Sequence, residues 1–143
     1  MTRFPELIDA TSALTALREV VDEMGPEHRY WGPVSDRFHE EEDCRYVNED
    51  NTPDCLVARA AHRLGVPLEE LRKYEHRSAI EMGPEPYRQR PRPEDAIPLF
   101  TEKAAQIMWA AQLAQDGNEP WRIALGAAER KFTELCGGEV EPR

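Results

Sequence analysis

Apolar residues recur at alternating spacings of three and four near the start of the chain: Leu7, Ala10, Leu14, Leu17, Val21 and Met24. That period lays them along one stripe of a helix. Asp9, Thr11 and Ser12 offer caps at its start, and Gly25-Pro26 stops it. The stripe is short, so it predicts a helix facing a core, with a dimer contact as the alternative. A second such stripe lies near the other end, on Trp121, Leu125, Ala128, Phe132 and Leu135. Before it, Thr101 caps a helix running to Asp116 and closed by Gly117. Asn118 or Glu119 starts the last helix, with Pro120 near its first position, and Gly137-Gly138 ends it. So short a connection folds the two helices into an antiparallel hairpin. Ala104, Ala105, Ala110, Ala111 and Ala114 would let them approach closely.

The middle of the chain is less regular. Tyr30-Trp31 precedes a Gly32-Pro33 turn, and Cys44-Arg45-Tyr46-Val47 alternates as a short strand does. If both are extended, they pair as a small two-stranded ribbon, with Asn48–Asn51 as a turn after it. Thr52-Pro53-Asp54 reads as a helix start: a capping hydroxyl, Pro at the first position and an acid in the first turn. Leu56, Val57, Ala60, Ala61 and Leu64 give that helix an apolar face, and Gly65 ends it. Pro67 opens another, with Leu68 and Leu71 inward and Arg72, Lys73 and Arg77 outward. Residues 83–98 hold Pro84, Pro86, Pro91, Pro93 and Pro98 and no apolar period, which reads as an arm stiffened toward polyproline II.

The expectation is a mainly α protein forming a single compact domain over residues 1–143. Residues 1–80 supply the N-terminal helix, an irregular acidic segment and a helix corner. Residues 81–98 are the Pro-rich arm, and 99–138 the helical hairpin. A length of 143 residues suits one domain. No apolar run approaches the ~20 residues that span a bilayer, and no apolar stretch of a leader follows Arg3. The expected location is the cytoplasm, without membrane contact. Three scattered cysteines fit a reducing compartment.

A net charge of -10 argues against indiscriminate binding to nucleic acid or anionic lipid. The charge is uneven. Residues 39–58 carry seven acids and one base, whereas 59–92 carry eight bases and five acids. The plain reading is two solvated surfaces that attract each other within the fold. The functional reading makes Glu40, Glu41, Glu42, Asp43, Glu49 and Asp50 an acidic interaction segment. Together with Asp54 they could also imitate the phosphates of DNA.

The run Ala61-His62-Arg63-Leu64-Gly65-Val66-Pro67-Leu68-Glu69-Glu70-Leu71 resembles the helix-turn-helix motif of DNA-binding proteins. Ala61 is the small residue where the helices cross, Gly65 the turn and Leu71 the later apolar contact. The resemblance implies that Leu68–Arg77 is the recognition helix and that Arg72, Lys73 and Arg77 contact DNA. Glu69 and Glu70 would then face phosphates across a short gap, which is unfavourable. A structural helix corner explains the same residues without that conflict.

His39, Cys44, Cys55 and His62 are zinc-ligand types, but none are closely paired as in structural sites. Cys44 and Cys55 are expected to be small buried apolar residues. Cys55, third in the helix begun by Thr52-Pro53, could gain thiolate character there, with Cys44 as resolving partner; Asp54 and its neighbouring acids oppose that. There is no Ser-His-Asp constellation and no Gly-rich phosphate loop. No catalytic residue, metal or cofactor is expected.

Three segments together resemble short uncharacterised proteins of actinobacteria and their phages. These are Cys44-x-Tyr46-Val47, then Pro53-Asp54-Cys55-Leu56-Val57 with Leu64-Gly65-Val66, then Ala111-Gln112-x-x-Gln115-Asp116-Gly117 leading to Trp121. The resemblance implies a phage or mobile-element accessory protein and brings no activity with it. The expected function is non-enzymatic binding of another protein, with a homodimer as a further possibility. A helix-turn-helix DNA-binding regulator is the alternative, followed by an acidic DNA mimic and a zinc- or thiol-dependent protein.

Overall fold

Each long helix among the described residues stops at a glycine, and two of the three start at a side-chain cap. The computed structural model describes residues 7–29, 46–48, 50–75, 77–84 and 96–137. Helix α1 spans Ala10–Met24; Asp9 caps it by accepting the Ser12 N–H at 2.8 Å, and Gly25 ends it at φ 101°. Its buried face is wider than the predicted stripe, adding Ala13, Ala16 and Val20 to Leu14, Leu17 and Val21. Leu7 is a correction: it precedes the helix and is exposed.

Helix α2, Leu56–Arg63, and helix α3, Leu68–Arg72, form the corner. The Gly65 N–H donates to the His62 carbonyl and the Val66 N–H to that of Ala61. Those two bonds close α2 in a Schellman turn, for which Gly65, at φ 101°, supplies the backbone conformation. Two expectations fail here. Thr52 does not cap α2: the N-cap is Cys55, so Cys55 precedes the helix instead of sitting in its first turn. Thr52 is held elsewhere, its hydroxyl donating to Asn48 Oδ1 at 3.0 Å. And α3 ends at Arg72, a helix of five residues, rather than running to Arg77.

The predicted ribbon has a different partner. Val47 forms an antiparallel bridge with Pro53, sealed by Asn48 N–H to the Thr52 carbonyl at 3.0 Å and Asp54 N–H to that of Tyr46 at 2.9 Å. Local closure through a tight turn at Asn48–Asn51, with Asn51 at φ 64°, is cheaper than pairing with a distant segment. Tyr30 and Trp31 lie outside the described residues. A second isolated bridge, parallel, joins Ile8 to Phe100. Among the described residues there is no longer strand.

A 3₁₀ turn, Ala79–Met82, leads to Gly83. Of the Pro-rich arm, residues 85–95 lie outside the described residues. Helix α4, Glu102–Asp116, is capped by Thr101 accepting the Ala104 N–H at 3.2 Å, and closes at Gly117. Helix α5, Trp121–Cys136, follows Pro120 as N-cap and ends at Gly137 in the left-handed conformation, φ 67°. The two pack together as a C-terminal helical pair, and α4 also touches α1, α2 and the 3₁₀ turn. The core therefore collects around α4: Ala104, Ile107, Met108 and Ala111 belong to one buried cluster with Leu17, Leu56, Leu71, Tyr74 and Trp121. Of the predicted α5 stripe, Trp121 and Ala128 are fully buried; Leu125, Phe132 and Leu135 pack at the core's edge.

Candidate functional site

Two glutamines of α4 stand on its buried face, three residues apart, and each carries a segment of the fold. Gln112 accepts the Ala79 N–H at 2.7 Å and donates to the Tyr46 hydroxyl at 2.8 Å. That hydroxyl donates in turn to the Arg77 carbonyl. Gln115 accepts the Leu56 N–H at 2.7 Å and donates to Asp116 at 3.1 Å. Glu75 takes the N–H groups of Tyr46 and Val47 on its two carboxylate oxygens, both at 3.0 Å. The Tyr74 hydroxyl reaches the Ile97 carbonyl at 2.7 Å. Buried polar groups are costly unless bonded, and these groups have partners. They hold turns and helix ends in place, and none presents a nucleophile with a base beside it.

The corner residues can be placed one by one. Lys73 binds Glu70 at 2.9 Å, and Arg77 binds Glu81 at 3.1 Å. Arg72, the third candidate DNA contact, is exposed and has no ion pair among the described residues. Glu69 and Glu70 sit in the first turn of α3, where carboxylates favour the helix dipole.

The two described members of the candidate metal set do not converge. His39 and Cys44 lie outside the described residues. Cys55 is fully buried, whereas His62 is exposed and its Nδ1 meets the Val66 carbonyl at 3.0 Å. The length of α2 separates those two by about 10 Å, too far to share one ion. No group of His, Cys, Asp or Glu that could hold a metal occurs among the described residues. Of the acidic segment, Glu40–Asp43 and Glu49 lie outside the described residues. Asp50 is exposed at a turn, its N–H on Asn48 Oδ1 at 2.9 Å.

Two exposed side chains, missed by sequence reasoning, stand out on α4. Trp109 is 37% exposed and Leu113 55%, one turn apart. They point away from the face that buries Ile107, Met108 and Ala111. Single exposed apolar residues are ordinary; an adjacent Trp and Leu make a small apolar ridge of the kind partners grip. Leu64, at the end of α2, is 37% exposed as well. No helix among the described residues is long and apolar enough to cross a membrane. No protein-family model, curated protein or solved structure matches the chain.

Proposed function

We propose that this protein acts without catalysis, by docking a protein partner on the outer face of α4. The observation that carries the reading is the Trp109–Leu113 ridge, apolar and exposed on a helix whose opposite face is core. Tryptophan is enriched where binding energy concentrates, because its large ring buries well at low entropy cost. Gln112, Gln115 and Glu75 spend their polar atoms on holding turns and helix ends of the fold. A phage or mobile-element accessory role is consistent with the resemblance noted above. A photo-crosslinking residue placed at 109 tests the proposal against the same residue placed at 133, an exposed position of α5. The expected result is one defined adduct in the producing cell from position 109 and none from 133. An adduct of twice the chain's mass would make the partner a second copy. No adduct from 109 or 113 overturns the reading.

A helix-turn-helix regulator is the second reading, favoured by the Gly65 turn that joins α2 to α3. Against it stand the five-residue α3 and the ion pairs that occupy Lys73 and Arg77. If it holds, duplex DNA is bound in a complex that weakens steeply with salt, and Arg72→Gln flattens that dependence.

A further inference from the structure

Pro120 provides no side-chain cap for α5, so the first N–H groups of that helix need other acceptors. They find them in residues 26–29. The Trp121 N–H donates to the His28 carbonyl at 2.7 Å and the Arg122 N–H to the Pro26 carbonyl at 2.8 Å. Side chains reinforce the join. Glu27 pairs with Arg122 at 2.7 Å, and Arg29 donates to the Asn118 carbonyl. The His28 ring meets the buried Trp121 ring edge-on, with centroids 4.4 Å apart and planes at 62°. These contacts tie a short strap, just past the end of α1, across the start of the last helix.

We propose that residues 26–29 form a proton-operated latch on the N-terminus of α5, which protonation of His28 unfastens. A proton on the ring would place a positive charge at a partly buried position with Arg59 of α2 nearby. Arg122, from α5, is occupied by Glu27; Arg29, on the strap, is engaged with a carbonyl. Among the described residues no carboxylate bonds the ring to compensate. Burial first, and the charge of Arg59 second, hold the imidazole below its ordinary value of 6.5. The sign follows. A released His28 takes up its proton first, so latching is at full strength above 6.5 and weakens as pH falls from there toward the lowered value. The electrostatic change is local, and so is its expected effect.

Hydrogen exchange of the full chain tests this at single amides. Protection at Trp121 and Arg122, corrected for intrinsic rates, should fall several-fold between about pH 7.5 and about pH 5.5. Leu125 and Ala128, deeper in the same helix, should keep theirs. His28→Phe preserves a ring and removes the proton, and it should abolish the pH dependence. Arg59→Gln keeps His28 and should raise the midpoint of its imidazole titration by NMR. The latch is overturned if protection at 121 and 122 does not change with pH. An equal fall in the Phe variant, or a parallel fall at 125 and 128, overturns it too.

Discussion

The side-chain oxygen of Gln115 accepts the backbone N–H of Leu56 at 2.7 Å, 59 residues away in sequence, and so caps α2 from α4. A cap of this sort does two things together. It satisfies an orphan donor of a short helix, and it fixes that helix against the centre of the core. Gln115→Leu keeps the volume roughly and leaves the buried N–H without an acceptor, at a cost of about 1–3 kcal/mol. Gln112→Leu should cost a similar amount, because Ala79 N–H and the Tyr46 hydroxyl both lose a partner. Urea denaturation of the two variants checks this. A loss too small to measure in both would mean that water reaches these groups.

At Gly83 the backbone runs close against α4. A Cβ built there would lie 2.7 Å from the Ala105 Cβ, an atom that cannot swing aside. The backbone conformation itself is open to any residue. Gly83→Ala is therefore expected to destabilise by about 1–3 kcal/mol through overpacking alone. Ala105→Gly opens the space while costing up to about 1 kcal/mol of helix propensity. The double variant should be more stable than the sum of the two single losses. Simple additivity in thermal melts would locate the clash elsewhere.

Trp121 and Phe132 belong to one predicted stripe but to different depths. Trp121 is fully buried and Phe132 sits at the edge of the core. Trp121→Ala should cost about 3–5 kcal/mol, a large part of the ~5–15 kcal/mol that holds a domain of this size. Phe132→Ala should cost about half of that or less, in line with the area it hides. Equal losses from the two would show that α5 buries its whole face.

The α4 ridge predicts the opposite behaviour. Leu113→Ser removes a side chain that is more than half exposed, so stability should change by about 0.5 kcal/mol or less, whereas Trp109→Ser also removes the covered part of the ring and should cost about 1–3 kcal/mol. Partner capture, by contrast, should be lost. A marked drop in stability in the Leu113 variant would make that side chain part of the core's support.

The long helices are legible in the sequence because their signals are local. Asp9 and Thr101 cap, Gly117 and Gly137 terminate, and the three-four spacing marks α1 and α5. Sequence pattern starts α2 too early because Thr52-Pro53-Asp54 has the chemistry of a helix start. The tight Asn48–Asn51 turn engages Thr52 and Asp54 first, and the true cap arrives from a glutamine far down the chain. No local pattern carries that information. The exposed ridge is hidden for another reason. Helix α4 is apolar on several sides, so its period does not separate Trp109 and Leu113 from Ile107 and Met108. Its small residues hold the signal that could have found the ridge. A helical wheel turned so that Ala104 and Ala111 face inward puts Gln112 and Gln115 beside them and leaves Trp109 and Leu113 outside.

The parallel bridge that joins Ile8 to Phe100 bears on how the chain comes to be folded at all. Ile8 donates to the Leu99 carbonyl and accepts from the Thr101 N–H, both at 2.9 Å, so the entrance of α1 is stitched to the entrance of α4. During synthesis, α1 leaves the ribosome while its neighbours in the core are still unmade. At roughly 5–20 residues per second the wait lasts on the order of 5–20 s. Through that interval Leu14, Leu17, Val20 and Val21 have at most α2, once it is made, to cover them. The nascent chain is thus most exposed to misassociation at its beginning, and its native core can close only once α4 has been made.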